Sequence, residues 1–262
     1  MDAQLNGIDA VFLDLDGTIY LGGNLIDGAL DFLKRCDERG IKRYFLSNNS
    51  SRSVKQYVEK LHGFGIPAVE DDVLLSTHDL LAWLASNTIT KTWLIGTEGM
   101  REMLEDSGIE TRSEEPEYVV LGYDTEINYE KLSKASVFLH AGVPLVASHP
   151  DMVCPSPDGG LPDVGAYLAL LKTTTGIDPI HITGKPNAGM ILHKIDALGL
   201  DPARCAMVGD RLYTDLAMAT RAGCVGILVL SGEATIDDVS KLEEGAEQQP
   251  TIIVNSVGEL LR

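Results

Sequence analysis

Apolar residues along this chain fall into short runs that break abruptly into acids, amides or glycines, and between the runs they recur every three or four positions. The first run, Ala10-Val11-Phe12-Leu13, has no polar alternation, which is the pattern of a strand buried on both faces of a parallel sheet. It breaks into Asp14-Leu15-Asp16-Gly17-Thr18. Asp27 is then placed to cap a helix carrying Leu30, Leu33 and Cys36 on one face, with Gly40 as its stop. A second strand is predicted from Ile41 to Leu46, running out into Ser47-Asn48-Asn49-Ser50. Ser53-Val54-Lys55-Gln56 is a capping box and opens a helix through Leu61 that ends near Gly63 and Gly65. Val73-Leu74-Leu75 is a third strand. Downstream the same style resumes, with a helix from Asn187 bearing Ile191, Ile195 and Leu198 and closed by Gly199. Ala206 to Gly209 is a strand running into Asp210, Thr214 to Ala222 a helix, and Val225 to Leu230 a further strand.

Between these two stretches lies a second alternation. Strands are predicted at Trp93 to Gly96, Tyr118 to Gly122 and Val143 to Ala147, and helices at Gly99 to Asp106, Tyr129 to Ala141 and Val164 to Lys172. Trp83 and Trp93 read as core anchors of this segment. Pro155, Pro157 and Pro162, with Gly159 and Gly160, mark a loop. The organisation predicted is α/β: a core made of residues 1–77 and 182–262, interrupted by an inserted domain at 78–181.

With 39 acidic against 21 basic residues, the net charge is −18, which argues against a nucleic-acid polymer or a membrane headgroup as partner. No segment reaches the apolar length of a transmembrane helix. Met1-Asp2-Ala3-Gln4 lacks the charge and apolar run of a signal peptide. Cys36, Cys154, Cys205 and Cys224 form no Cys-x-x-Cys pair, so free thiols and a reducing, cytoplasmic compartment are expected.

Four strand ends carry chemistry. Asp14 and Asp16, alternate residues of an extended segment, point to one side and need a cation, a proton or solvent between them; an Asp-rich surface turn is the plainer alternative. Ser47 and Asn48 offer a hydroxyl and N–H groups to an anion. Lys185, in Gly184-Lys185-Pro186, supplies a cation at a helix start. Asp210 follows a strand, and Asp215 lies a turn beyond it. Together these oxygen donors and the lysine suit Mg²⁺ and a phosphate.

The four stretches, in this order and spacing, resemble the haloacid dehalogenase superfamily over nearly the whole chain. Its Asp-x-Asp-Gly-Thr motif is matched by Asp14 to Thr18, its strand-end Ser by Ser47, its Lys by Lys185, and its Gly-Asp-x(4)-Asp by Asp210 and Asp215. The insert resembles the C2-type cap of subfamily IIA, which includes 4-nitrophenylphosphatase-like enzymes, NagD and AraL-like sugar phosphatases. The turn at Ile26 to Ala29, the Ala147 to Asp151 segment and Leu230-Ser231-Gly232 look like that subfamily too. Where many members have Thr-Asn-x-Asp, this chain has Ser148-His149-Pro150-Asp151.

The resemblance implies a Rossmann-like parallel-sheet core with an inserted α/β cap. It also implies a Mg²⁺-dependent phosphomonoesterase working through an aspartyl-phosphate. Asp14 would be the nucleophile and Asp16 the general acid and base, with Asp14, Asp16 through its main-chain oxygen, and Asp210 holding the metal. Ser47, Asn48 and Lys185 would bind phosphate, and Asp215 would orient Lys185 or a metal-bound water. In the cap, His149, Asp151 and the loop from Leu161 to Gly165, with Gly165 allowing close approach, are candidate substrate contacts, the helix start at Val164 offering N–H groups to a substrate oxygen. A solvated loop histidine and a packing glycine are the plainer readings of His149 and Gly165. The substrate is a small phosphorylated metabolite, with a sugar or polyol phosphate favoured over a nucleoside monophosphate, pyridoxal phosphate or phosphoglycolate. A phosphotransferase, or a non-catalytic phosphometabolite binder, is the alternative, and a homodimer through the cap is compatible with the resemblance.

Overall fold

The computed structural model describes residues 5–154 and 159–260; Met1 to Gln4, and Pro155 and Pro157 of the expected loop, lie outside them. Its main sheet is six-stranded, in the order Ile252–Val254, Val225–Val229, Cys205–Gly209, Ala10–Asp14, Lys42–Ser47 and Val73–Leu75. The pairings along the first five of these strands are parallel. Ala10–Asp14 lies in the middle and is buried throughout, as its uninterrupted apolar run requires. Phe12 stacks on Tyr44 at 5.4 Å, and around them Leu46, Met207, Ile191, Ile195 and Met218 close a core between sheet and helices. Each such large side chain withdrawn from water is worth roughly 1.5–3 kcal/mol.

Local differences from the sequence pattern have identifiable causes. The helix Ala29–Glu38 buries Ala29, Phe32, Leu33 and Cys36 while Leu30 is exposed, and its N-cap is Gly28 rather than Asp27. Gly28 has φ +82°, and a Cβ there would come within 2.7 Å of Gly258 Cα. The helix expected from Asn187 begins at Gly189. The helix expected at Thr214 begins instead as a wide π-turn, Leu212–Leu216, and becomes α-helical only over Ala217–Ala222. The edge strand Ile252–Val254 is not among the strands predicted although its apolar run is as long as that of Val73–Leu75, and the hairpin Tyr20–Leu21/Asn24–Leu25 has no run long enough to announce it.

The chain divides into two compact units, one formed by Met1–Ser47, Val58–Leu74 and Lys185–Arg262, the other by Asn48–Tyr57 and Leu75–Gly184. The second has its own parallel sheet, ordered His181–Ile182, Leu145–Ala147, Tyr118–Leu121 and Thr92–Ile95. Alternation along these strands sends Trp93, Ile95, Val119 and Leu121 into one core and Leu94, Val120 and Val146 into another. The helices Tyr129–His140 and Val164–Thr175 cover the first face; Ser76–Ser86 and Glu98–Asp106 cover the second.

These boundaries fall three residues outside the expected 78–181 insert, and residues 48–57 join the second unit. Hydrogen bonds explain that grouping. Ser50 Oγ accepts the Tyr123 N–H at 2.8 Å and lies 3.0 Å from Ser148 Oγ, and the Thr97 hydroxyl donates to Ser51 O at 2.9 Å.

Candidate active site

The register of the main sheet gathers the acids. Asp14 pairs with Leu46 and Leu13 with Val208, so Asp14, Ser47 and Asp210 leave three adjacent strands at their common carboxyl end. In open α/β sheets that end carries the ligand crevice. The buried Lys185 ammonium touches Asp14 Oδ1 and donates to Asp215 Oδ1 at 2.7 Å. Burial alone would lower its pKa, but Asp14 and Asp215 more than offset this and hold it well above the ordinary value.

Asp215 has no exposed surface, and its Oδ2 accepts the Arg211 N–H at 3.1 Å. The wide turn brings this about: Leu216 N–H reaches Arg211 O at 3.3 Å, five residues back. Gly209 leaves room beside it, since a Cβ there would collide with the Asp215 carboxylate.

Asp210 is buried, its Oδ2 accepting the Glu233 N–H at 2.7 Å while Oδ1 has no hydrogen-bond partner among the described residues. Burial, and then the charges of Asp14 and Asp215, push its carboxyl up to about 8. Burial also raises Asp14, with Lys185 pulling the other way. Carboxylate oxygens of Asp14, Asp210 and Asp215 lie within 4.8 Å of one another. With all three acids ionised, Lys185 and the neighbouring Arg211 charge do not hold Asp210 at an ordinary carboxylate value, and an orphaned Asp210 oxygen is what a missing cation would leave behind. An all-oxygen donor set suits a hard divalent ion.

Asp16 stands outside that trio, bridged to Tyr20, with its carboxyl exposed. Desolvation on its protein side raises its pKa, against Lys60 and Arg211. Ser47 is half-buried at its strand end. Asn48, the next residue, groups with the second unit, where its Nδ2–H donates to Asp151 Oδ2 at 3.0 Å.

Among the other candidates of the second unit, His149 departs from both of its expected readings, and Gly165 fits the packing one. His149 has no exposed surface; its Nδ1 lies 2.9 Å from Ser148 Oγ and its Nε2 3.0 Å from Asp163 Oδ1. A carboxylate accepts, so Nε2 carries the hydrogen, and the ring is a link in an internal chain rather than a surface contact. The N–H groups at the Val164 helix start are already used. Val164 N–H donates to Asp163 Oδ1 at 2.7 Å, Gly165 N–H to Asp151 O at 2.8 Å and Ala166 N–H to Asp163 O at 2.9 Å. That start is therefore not an open oxygen receptor. Gly165 serves packing: a Cβ would meet Met152 Sδ at 2.6 Å and Asp151 C at 3.1 Å. Asp151 is half-buried.

The sequence reading held Asp163 only as part of the Leu161–Gly165 loop, although its place before an apolar helix is an N-cap signal, and it missed Glu233, which carries no signal at all.

The sequence profile of haloacid dehalogenase-like hydrolases matches residues 11–110, and a second profile of the same kind matches 182–260. The chain is 32% identical over 252 residues to the 5′-nucleotidase YutF of Bacillus subtilis, covering 94% of this chain and 95% of that protein. The chain belongs to the haloacid dehalogenase-like hydrolases. Another hydrolase of this kind, the acid sugar phosphatase of Staphylococcus epidermidis, is 34% identical over 238 residues, 89% of this chain and 91% of that protein. Among solved structures, the 4-nitrophenylphosphatase of Thermotoga maritima superposes with a TM-score of 0.93 at 37% identity, covering 98% of this chain and 97% of that one. The glycerol phosphate phosphatase of Mycobacterium tuberculosis, solved with magnesium, gives 0.91 at 28% identity, covering 100% of this chain and 79% of that one.

Proposed function

We infer that this hydrolase is a Mg²⁺-dependent phosphatase of small phosphorylated metabolites. The observation that carries the reading is the Lys185 ammonium seated between Asp14 and Asp215 beside the orphaned Oδ1 of Asp210. Asp14, the Asp16 main-chain oxygen and Asp210 would hold Mg²⁺. When bound, that ion offsets negative charge on the phosphoryl oxygens and the nucleophile.

The protein's own groups do the rest. Lys185 engages Asp14 Oδ1, leaving the other carboxylate oxygen to attack phosphorus and form an aspartyl-phosphate. Asp215 keeps Lys185 oriented and charged. Asp16, with its raised pKa, gives a proton to the leaving alkoxide and takes one from the attacking water. The Ser47 hydroxyl and the Asn48 main-chain N–H bind phosphoryl oxygens.

The second unit is a C2-type cap that supplies leaving-group specificity, with Asp151 as its substrate contact and a sugar or polyol phosphate as the favoured substrate. Relatives acting on sugar phosphates, glycerol phosphate and nucleotides support the class. Among the described residues no disulfide joins Cys36, Cys154, Cys205 or Cys224, in keeping with a reducing, cytoplasmic setting, and no helix of the described residues is long and apolar enough to cross a membrane. Sedimentation velocity tests the homodimer through the cap.

The decisive experiment is phosphate release from 4-nitrophenyl phosphate, followed by a phosphometabolite screen. EDTA should remove turnover and Mg²⁺ or Mn²⁺ restore it. Turnover undiminished after exhaustive chelation would refute the metal-dependent reading.

A further inference from the structure

One loop touches both acid-bearing segments of the core unit without belonging to any of the four motifs. Ser231 donates its hydroxyl to Gly17 O at 2.7 Å. Glu233 N–H donates to Asp210 Oδ2 at 2.7 Å, and Ala234 N–H donates to Asp210 O at 3.0 Å. Gly17 and Gly232 flank Asp210 so closely that a Cβ on either would collide with its Oδ2. Asp210 is thus fixed with Oδ2 engaged and Oδ1 buried without a hydrogen-bond partner among the described residues.

The side chain of Glu233 has a separate contact. Its Oε2 lies 2.9 Å from Arg211 Nε, and the arginine side chain is only 17% exposed. Among the described residues Nε makes no hydrogen bond, so the pair is held as an ion pair. Arg211 is the residue after Asp210, and its positive charge acts on Asp14, Asp16 and Asp210. A guanidinium is the natural partner of a buried carboxylate, and a guanidinium on Asp210 would compete with a divalent cation for the same oxygen.

We propose that Glu233 is a positioning residue for the cation: its carboxylate holds the Arg211 guanidinium off Asp210 Oδ1, so that an external ion rather than an internal arginine neutralises the acidic cluster. This rests on the phosphatase reading and deepens it by naming what keeps the metal position open. A plainer role for Glu233, as one more negative charge attracting cations, makes different predictions.

Calorimetric titration of Mg²⁺ into the full-length, substrate-free protein separates the two. Glu233→Gln should weaken Mg²⁺ binding by about fivefold or more, the coupling typical of contacting charges. Arg211→Gln should bind at least as tightly as the natural protein. The double variant should match Arg211→Gln, because without the arginine there is nothing to restrain. Glu233→Asp keeps the charge but shortens the reach, so restraint predicts a loss there and simple attraction predicts none. It also serves if Glu233→Gln does not fold. The metal-free melting temperature of Glu233→Gln should hold, since Arg211 gains Asp210 as it loses Glu233. Unchanged affinity in both Glu233 variants, or a Glu233→Gln loss of the same size with and without Arg211, overturns the proposal. A natural protein that binds Mg²⁺ but releases no phosphate would sink the phosphatase reading and leave the restraint standing.

Discussion

Lys185 decides the character of its neighbours, because an ammonium shared by two carboxylates leaves each only partly neutralised. Asp14 is the one of the two at a strand end, whereas Asp215 is fully buried and tied to the Arg211 N–H. Asp14→Asn should therefore lower turnover by roughly 10⁴-fold or more, the scale of losing a nucleophile, with an unchanged circular dichroism spectrum. Full activity in that variant would remove the covalent mechanism. Asp16 is exposed and carries a raised pKa, which suits a group that exchanges protons with leaving group and water. Asp16→Asn should slow both half-reactions by about 10²–10⁴-fold. Rapid-quench measurement of aspartyl-phosphate formation and decay checks each half separately; unchanged rates in both would reduce Asp16 to its main-chain oxygen.

At the scale of elements, the strand ends were legible because buried parallel strands leave uninterrupted apolar runs, and whatever polar residue follows such a run must stand at the sheet's carboxyl end. Asp14, Ser47 and Asp210 could be placed on that ground. The contacts that depend on distant partners could not. Ser50 meets Ser148 across 98 residues, His149 meets Asp163 across 14, and Glu233 reaches Asp210 across 23. No periodicity encodes such pairs, so the membership of residues 48–57 and the burial of His149 emerged only from the fold. The wide turn at Leu212–Leu216 was hidden for a similar reason: its spacing of polar and apolar residues suits an α-helix equally well. The glycines are more telling. Gly17 and Gly232 stand in sequence only as members of the Asp14–Thr18 and Leu230–Gly232 stretches, yet in the fold they form the walls around Asp210. Gly232→Ala should displace Asp210, weaken Mg²⁺ binding severely, and destabilise the protein by about 1–3 kcal/mol, as overpacking does. Calorimetry and denaturant unfolding measure the two effects, and a variant with natural Mg²⁺ affinity would show that the walls are not needed.

For the whole molecule, a surplus of acid is an electrostatic burden that the core unit concentrates at one place. The net charge is −18, and three carboxylates are buried within reach of one another. Asp210 carries the clearest consequence, its carboxyl raised from an ordinary 3.8 to about 8. Between those values the metal-free folded protein holds a proton that the unfolded chain has released. The stability contributed by this group is complete below about pH 4 and is lost as pH rises through 8. Asp14, also raised, acts in the same direction. A divalent cation needs the same carboxylates ionised, so it must displace those protons, and its affinity should climb with pH by up to about tenfold per unit for each proton released. The metal-free melting temperature should therefore fall between pH 6 and pH 8, while the rise produced by a fixed Mg²⁺ concentration should be larger at pH 8 than at pH 6. Calorimetry at pH 6.5 in buffers of different ionisation enthalpy should register proton release on Mg²⁺ binding. A Mg²⁺-induced stabilisation of equal size at both pH values, with no proton released, would mean that Asp210 is already ionised in the metal-free protein and that Arg211, not a proton, balances its charge.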